Sequence, residues 1–314
     1  MHLFFQKIKE EISRVIVGYD EVIEYFTIGL LSDGHIFLVG VPGLAKTLLV
    51  KSFGKVFDLK FSRVQFTPDL MPSDIIGTEI LEEKEREKTF RFYKGPIFTN
   101  LLLADEINRA PPRTQSALLE AMQEKSVTVA GKTYKLEEPF MVIATQNPIE
   151  HEGTYPLPEA QLDRFMFQII IDYPDKNSEI KIADLYAEDM LKKIKKVVSK
   201  EEILRLREEV KKVPVPENIK ELVVELIRHT RPQNNSRLKI VKDYVRWGCS
   251  PRASQYLIRA IKARAFLNNR PLPNSEDVFK LFPLVVRHRI ILNFQAEADN
   301  VKVDDVINEI LKNI

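Results

Sequence analysis

The sequence predicts an α/β protein in which a parallel sheet with helices on both faces precedes an all-α region. Short apolar runs alternate with helical patterns over the first half of the chain, as in parallel sheets with helical crossovers. One apolar run, residues 36–39, breaks into a turn rich in Gly and Pro, and a helical pattern follows directly. After Pro174 the strand-like runs stop, and the pattern is helical almost throughout.

The composition is that of an ordinary globular protein, with 314 residues, 44% of them hydrophobic and 29% charged. The formal net charge of +2 provides no global field for nucleic acid, so we expect no nucleic-acid partner. Cys249 is the single cysteine, which excludes an intrachain disulfide. There is no signal-peptide core and no apolar stretch of about eighteen residues, so we expect a cytoplasmic protein without a membrane span.

Each apolar run can be placed as an element of the fold. Apolar residues near helical spacing predict one helix over residues 4–15 and a second over residues 20–31. The predicted strands are residues 36–39, 61–66, 101–104, 140–144 and 165–171. We place the domain boundary near Pro174, which gives an α/β core of residues 1–174 and a helical domain of residues 175–314.

Two inserts interrupt the alternation of strands and helices. Residues 78–94 read as two strand-like pieces around a charged run, and residues 127–136 read as a β-hairpin. Phe90 and Phe92 share one face of the first insert, and an exposed aromatic pair is costly without a partner. We therefore predict that this insert contacts a protein client.

The turn after the first strand has the layout of a loop that cradles phosphate groups. In the pattern G-x-x-x-x-G-K-[ST], backbone N–H groups wrap the phosphates, the Lys reaches them and the hydroxyl binds Mg²⁺. Position 45 is Ala instead of Gly, so we expect Ala45 to keep a negative φ and Gly43 to take the unusual conformation. The residues expected to bind the nucleotide are Gly40, Val41, Pro42, Gly43, Leu44, Ala45, Lys46, Thr47 and Leu48.

Polar side chains follow two further strands at the edge where ligands of open α/β sheets bind. Asp105 and Glu106 end one apolar run, which suits Asp105 and Thr47 as Mg²⁺ ligands and Glu106 as the group that polarises the attacking water. Asn147 ends the next run and can orient that water, although an Asn before Pro is also a common turn starter. Together with the phosphate loop, these residues predict an ATPase.

Four arginines are candidate phosphate ligands. Arg164, before the last strand, is either a surface charge or an arginine finger that reaches a neighbouring subunit. Arg252 lies in the first turn of a helix, where the macrodipole disfavours cations, so we expect it to have an anionic partner, a phosphate. Arg109 and Arg113 either face nucleotide across an interface or simply solvate a loop.

With these segments in order, the chain resembles the MoxR family of AAA+ ATPases over nearly its whole length. The matching strings are GVPGLAKT, VQFTPDLMPSDIIG, LLLADEINRAPPRTQSALLEAMQE, ATQNP, LPEAQLDRF and SPRAS. The resemblance implies an AAA+ core with a helical lid domain. The implied roles are Walker A at residues 40–47, Walker B at Asp105 and Glu106, sensor 1 at Asn147, the arginine finger at Arg164, sensor 2 at Arg252, and adenine contacts at Val17 and Gly18.

The family resemblance also implies partners. Its members are thought to act as chaperone-like motors, usually as hexameric rings and often beside proteins with a von Willebrand factor A domain. We therefore expect an ATP- and Mg²⁺-dependent homo-oligomeric motor that remodels a protein client, in which Arg252 and Lys46 grip the same phosphates. The alternatives are a nucleic-acid motor of the same superfamily and a nucleotide-gated scaffold with negligible hydrolysis.

Overall fold

The computed structural model describes residues 2–84, 87–149, 153–234 and 238–313. Its strands are β1 (Ile36–Val39), β2 (Phe61–Gln65), β3 (Gly77–Lys84), β4 (Glu87–Lys94), β5 (Leu101–Asp105), β6 (Ser126–Val129), β7 (Lys132–Lys135), β8 (Met141–Gln146), β9 (Phe167–Ile170), β10 (Val245–Trp247) and β11 (Ile291–Leu292). Its helices are α1 (His2–Ser13), α2 (Asp20–Leu31), α3 (Lys46–Val56), α4 (Pro72–Ile76), α5 (Pro112–Glu124), α6 (Glu159–Leu162), α7 (Lys176–Ala183), α8 (Ala187–Lys193), α9 (Lys200–Lys212), α10 (Glu217–His229), α11 (Lys239–Tyr244), α12 (Pro251–Leu267), α13 (Ser275–Val286), α14 (Phe294–Ala298) and α15 (Val303–Lys312).

The central sheet has five strands in the order β2, β5, β8, β1 and β9, and all neighbouring pairs are parallel. Along β5, Leu101 and Leu103 pack into one apolar cluster, whereas Leu102 and Ala104 pack into a second. Successive strand residues point to opposite faces, so both faces of the sheet are covered. This confirms the predicted fold class, and the predicted strand bounds agree with the observed ones to within two residues at each end.

Both predicted inserts are antiparallel hairpins. In the first, β3 pairs with β4, and residues 85–86 lie outside the described residues. In the second, β6 pairs with β7 around Ala130 and Gly131, whose φ values of 48° and 78° suit a two-residue hairpin turn. The charged run of the first insert therefore covers the end of β3 and the start of β4.

The aromatic pair of the first hairpin does not form one exposed surface. The ring of Phe92 stacks on Tyr134 of the second hairpin at 4.2 Å between centroids and contacts Phe98 edge-on at 5.6 Å. Phe90 is 69% exposed. Phe92 thus joins the two hairpins, whereas Phe90 is exposed.

The region after Pro174 is helical apart from one short ribbon, in which β10 pairs antiparallel with β11. The sequence pattern did not predict this ribbon, because strands of three and two residues are too short to show alternation. In the described ranges, no helix is both long and apolar enough to cross a membrane.

The helical region packs tightly on the α/β core. The backbone N–H groups of Val197 and Val198 donate to the Val56 carbonyl at 2.9 and 3.2 Å, and Arg207 Nε donates to the Leu30 carbonyl at 2.8 Å. One apolar cluster runs from α1 and α2 through the sheet into α15. The division of the chain at residue 174 remains a prediction, because the buried core continues across it.

Candidate functional site

The phosphate loop connects β1 to α3 and lies in the middle of the sheet's carboxyl edge. Its first residue must be glycine, because a Cβ on Gly40 would come within 2.7 Å of the Ile171 carbonyl oxygen. Gly43 has a φ of 87°, as expected. The expectation for Ala45 was wrong: its φ is 52°, in the left-handed region, directly before helix α3 begins.

The left-handed backbone of Ala45 has a physical cause. The chain must turn sharply between a buried strand and a buried helix, and this tertiary requirement overrides the local preference of Ala for negative φ. Leu44 beside it is buried and anchors the loop, while Pro42 is exposed. Val41 and Leu48 are half-buried against the apolar cluster.

Lys46 lies at the start of α3 and folds back over the loop. Its Nζ donates to the carbonyl oxygens of Gly40 and Val41 at 2.5 and 3.3 Å. Burial lowers the pKa of Lys46, and the nearby charges of Asp105 and Glu106 partly oppose that shift. Half-buried Thr47 lies next to Lys46 in the chain.

Asp105 ends β5 and is held by two neighbouring strands. Its Oδ1 accepts a hydrogen bond from Thr145 Oγ1 at 2.6 Å, and its Oδ2 accepts from Arg63 Nη2 at 2.6 Å. No cluster of three or more His, Cys, Asp or Glu side chains that could hold a metal occurs in the part of the chain that is described. Asp105 with the Thr47 hydroxyl instead fits Mg²⁺, which is commonly held by one or two carboxylates plus substrate phosphates.

Glu106 has a left-handed backbone, with φ at 56°, and its side chain is already engaged. Its Oε2 accepts from Gln65 Nε2 at 2.8 Å and from Arg109 Nη1 at 3.0 Å. Its backbone N–H donates to Thr145 Oγ1 at 2.9 Å, so that Thr145 links Glu106 to Asp105. Arg109 thus pairs with a carboxylate of its own chain, whereas Arg113 is exposed.

Sequence reasoning missed the residues that hold the two carboxylates: Arg63, Gln65 and Thr145. Gln65 is in register with Asp105 on the neighbouring strand, and Arg63 lies two residues earlier on the same face of β2. These polar residues at the carboxyl end of a predicted strand were the available signal. Without the strand order, β2 could not be placed next to β5.

Asn147 directly follows β8 and is 3% exposed. It lies beside the phosphate loop, since the Gly40 N–H donates to the carbonyl of Gln146 at 3.3 Å. Its Oδ1 accepts from the Ile149 N–H at 3.2 Å, so Asn147 also stabilises the turn before Pro148. This hydrogen bond supports the interpretation of Asn147 as a turn starter, and its role toward the attacking water stays a prediction.

Val17 and Gly18 lie where the end of the sheet meets the helical region. Gly18 has a φ of 86°, and a Cβ there would come within 3.0 Å of Ser178 and 3.4 Å of Pro174. The Tyr19 hydroxyl donates to the Asp172 carbonyl at 3.1 Å, which fixes this segment to the end of the core. Half-buried Val17 thus lies in the junction between the core and helix α7.

Arg164 and Arg252 lie together, at the other end of the strands. Arg164 Nη1 donates to the Leu119 carbonyl at 2.5 Å, and Arg252 Nη1 pairs with Asp163 Oδ2 at 3.0 Å. Both side chains line one cavity of about 220 Å³. The anionic partner expected for Arg252 is therefore a carboxylate in this structure, and the Ser250 hydroxyl also bonds to it at 3.3 Å.

Within one chain, these arginines and the phosphate loop lie at opposite ends of the parallel strands. Arg164 comes three residues before β9, and the Met166 N–H donates to the carbonyl of His35, the residue before β1. The phosphate loop follows the last residue of β1, about 13 Å further along the strand. Contrary to expectation, Arg252 and Lys46 are thus not positioned to grip the same phosphates of one subunit.

The parallel sheet, the phosphate loop with its paired carboxylates and the following helical region define a P-loop ATPase of the AAA class. The family described as "ATPase family associated with various cellular activities (AAA)" matches residues 35–167, and the AAA lid domain matches residues 237–310.

The chain is 45% identical to Chaperone MoxR1 of Mycobacterium tuberculosis over 97% of this chain and 80% of that protein. It is 28% identical to Protein MoxR of Methylorubrum extorquens, over 98% of this chain and 94% of that protein. The crystal structure of a candidate ATPase from Cytophaga hutchinsonii superposes with a TM-score of 0.89 at 44% identity, covering 99% of this chain and 95% of that one. The chain belongs to the MoxR family of AAA+ ATPases.

Proposed function

We propose that the protein hydrolyses ATP with Mg²⁺ in a homo-oligomeric ring and uses the energy to remodel a protein client in the cytoplasm. The observation that carries this proposal is that Lys46 follows β1, and Asp105 and Glu106 end β5, at the same carboxyl edge of the parallel sheet. A scaffold that only binds nucleotide has no need of a second carboxylate beside the Mg²⁺ ligand. The near-neutral net charge argues against a nucleic-acid motor.

Each residue has a role in this proposal that matches its environment. The phosphate loop and Lys46 bind the phosphates, and Thr47 with Asp105 holds Mg²⁺, which stabilises negative charge on the phosphates when bound. Glu106 accepts the proton of the attacking water, and Asn147 orients that water. The bonds from Gln65 and Arg109 to Glu106 must loosen for Glu106 to act as the base.

Arg164 and Arg252 act on the ATP of the neighbouring subunit. Their position at the amino end of the strands, away from the phosphate loop of their own chain, supports this assignment. A head-to-tail ring joins two different faces of the subunit. In the proposed ring, the face at the amino ends of the strands of one copy lies against the face at the carboxyl ends of the next. We propose six copies by family resemblance, with Val17 and Gly18 beside the adenine.

The first hairpin contacts the client through Phe90. Phe90, which is 69% exposed, lies opposite Leu81, which is 48% exposed, and an exposed apolar patch of this kind favours a partner. A protein with a von Willebrand factor A domain is the proposed partner, on the basis of the family resemblance alone. Measuring ATP turnover with and without DNA separates this function from the nucleic-acid motor, which requires strong stimulation by DNA.

The decisive experiment compares Glu106→Gln with Lys46→Ala. Glu106→Gln keeps the shape and one hydrogen-bond acceptor but removes the base, so ATP binds while turnover falls by about a hundredfold or more. Lys46→Ala weakens binding itself. Binding of a fluorescent ATP analogue and steady-state phosphate release are measured for both variants. Equal loss of nucleotide affinity in the two would reject the assigned roles.

A further inference from the structure

One face of α12 lines the cavity that holds Arg164 and Arg252. Arg252, Tyr256 and Arg259 follow each other at spacings of four and three residues, which places them on the same face of the helix. All three side chains line the cavity of about 220 Å³. Arg259 has no part in the function proposed above, although it lies two turns along α12 from Arg252.

Tyr256 connects Arg259 to the segment that carries Arg164. Its hydroxyl donates to the Arg164 carbonyl at 3.1 Å, and its ring centroid lies 5.9 Å from the guanidinium carbon of Arg259. The Ser32 hydroxyl donates to the carbonyl of Arg259 at 3.3 Å and fixes the backbone of α12 to the end of α2. The guanidinium of Arg259 is therefore held beside the predicted finger, although the side chain itself is exposed.

Among the described residues, the other charged side chains of this cavity are paired with opposite charges, except Arg164, whose guanidinium donates to the Leu119 carbonyl. Lys125 Nζ bonds to Asp33 at 2.6 Å and to Glu138 at 2.8 Å. Arg252 pairs with Asp163, and burial lowers the pKa of His35 to about 4, so this imidazole is neutral at pH 7. Among the residues that the structure describes, no carboxylate pairs with Arg259. The cavity thus has positive charge at Arg164 and Arg259 that no carboxylate of the described residues pairs with, which favours an anionic ligand.

We propose that Arg259 is a third arginine that contacts the phosphates of the ATP bound by the neighbouring copy of the chain. This inference rests on the proposed action of Arg164 in trans. Guanidinium groups bind phosphate oxygens through two parallel N–H donors, which a fixed position beside Arg164 favours. Tyr256 acts as a positioning residue, because it holds Arg259 next to the finger.

The test measures kcat and KM for ATP in Arg259→Ala, Arg259→Lys and the control Arg205→Ala, which removes an exposed arginine from α9. We expect Arg259→Ala to lower kcat/KM about tenfold or more, as for the loss of one charge-assisted hydrogen bond. Arg259→Lys keeps the positive charge but lacks the two parallel N–H donors of the guanidinium, so we expect it to recover part of the lost kcat/KM. We expect Arg205→Ala to have the kcat/KM of wild type. The free energy of unfolding in urea should equal that of wild type in all three variants, because Arg205 and Arg259 are both exposed.

Mixing Arg259→Ala with Lys46→Ala shows whether the contact is in trans. In a randomly mixed ring, about half of the intact phosphate loops face a neighbour with an intact Arg259. Turnover per intact loop then rises about fivefold if the single variant has lost tenfold. A contact in cis leaves turnover per loop unchanged, which would overturn the proposal.

Two outcomes distinguish this inference from the function on which it rests. If Arg259→Ala keeps the kcat/KM of wild type while mixing with Lys46→Ala restores the turnover of Arg164→Ala, the role of Arg259 is rejected. The role of Arg164 in trans then still stands. Failure of that rescue, with subunit exchange verified, rejects action in trans and this inference with it.

Discussion

Ala45 and Glu106 have left-handed backbones at the two turns that form the site, with φ at 52° and 56°. Such a conformation costs about 1–3 kcal/mol for a residue other than glycine and persists only where the surrounding structure enforces it. Here buried strands β1 and β5 end directly before these turns. The folding energy of the core therefore offsets the strain in the phosphate loop and the carboxylate turn.

The strain at Ala45 predicts a stability gain in Ala45→Gly. Glycine adopts positive φ without the steric cost, although it loses more conformational entropy on folding, so we expect the free energy of unfolding to rise by about 0.5–1 kcal/mol. Urea unfolding without nucleotide measures this change. Ala130→Gly is the matched control, since Ala130 has a φ of 48° in a hairpin turn away from the site. A gain in Ala130→Gly but none in Ala45→Gly would contradict strain in the phosphate loop.

His35 predicts that stability depends on pH. Its Nδ1 accepts from the Val142 N–H at 3.0 Å, so the neutral ring carries its proton on Nε2, which lies 3.3 Å from the Met122 carbonyl. Burial lowers its pKa to about 4, whereas histidine in the unfolded chain titrates near 6.5. Between these values the unfolded state binds the extra proton, so stability falls as the pH decreases, by up to about 3 kcal/mol.

The contribution of His35 is measured by urea unfolding at about pH 7.5 and about pH 5. His35→Gln has a shallower pH dependence than wild type, and part of the slope remains because burial also lowers the pKa of His288. His229→Gln, which removes a partly exposed histidine from α10, serves as the control substitution. The same slope in wild type and His35→Gln would show that His35 does not titrate in this range.

At the scale of elements, the two hairpins are joined to each other by aromatic packing. Phe92 of β4 stacks on Tyr134 of β7, whereas Phe90, two residues earlier on the same strand, is exposed. Two residues that are two positions apart on a strand point to the same face, but they do not contact the same neighbours. The second hairpin covers only the Phe92 end of that face.

Phe92→Ser and Phe90→Ser should therefore differ. Phe92→Ser removes a half-buried aromatic contact, so we expect a loss of about 1–3 kcal/mol in stability, below that of a fully buried Phe. Phe90→Ser changes stability by at most about 0.5 kcal/mol and leaves basal ATP turnover unchanged. Urea unfolding and phosphate release measure both quantities. Comparable destabilisation by the two substitutions would mean that Phe90 also packs in the core.

At the scale of the whole molecule, the helical region and the core share the face that carries Arg164 and Arg252. Asp163 pairs with Arg252 and with the buried Arg289, whose Nε lies 2.7 Å from Oδ1. Arg289 also donates to the Phe165 carbonyl at 2.7 Å, so the segment before β9 is tied to the helical region. We infer that a change in the position of the helical region moves both arginines together.

A mixing experiment tests whether Arg164 acts on the neighbouring subunit. Arg164→Ala and Lys46→Ala are each expected to be nearly inactive, since an arginine finger contributes about 10³ to 10⁵ in turnover. In an equal mixture, roughly a quarter of the interfaces pair an intact phosphate loop with an intact finger. Phosphate release should therefore recover to a sizeable fraction of wild type. If phosphate release does not recover at any mixing ratio, although subunit exchange is verified, Arg164 is a surface charge and not an arginine finger.

The fold class, the strands of the sheet and the phosphate loop with Asp105 and Glu106 could all be predicted from the amino-acid sequence. These features depend on local periodicity and on motifs of adjacent residues, which the chain carries without reference to distant segments.

Three features could be found only in the folded chain: the positive φ of Ala45, the contacts of Gln65 and Thr145 with the carboxylates, and the pairing of Arg252 with Asp163. Each of these depends on which strands are neighbours and on where the helical region packs. The sequence pattern leaves strand order and packing open, because segments far apart in the chain form those contacts. For the same physical reason, the position of Arg164 and Arg252 at the edge opposite the phosphate loop could be found only in the folded chain.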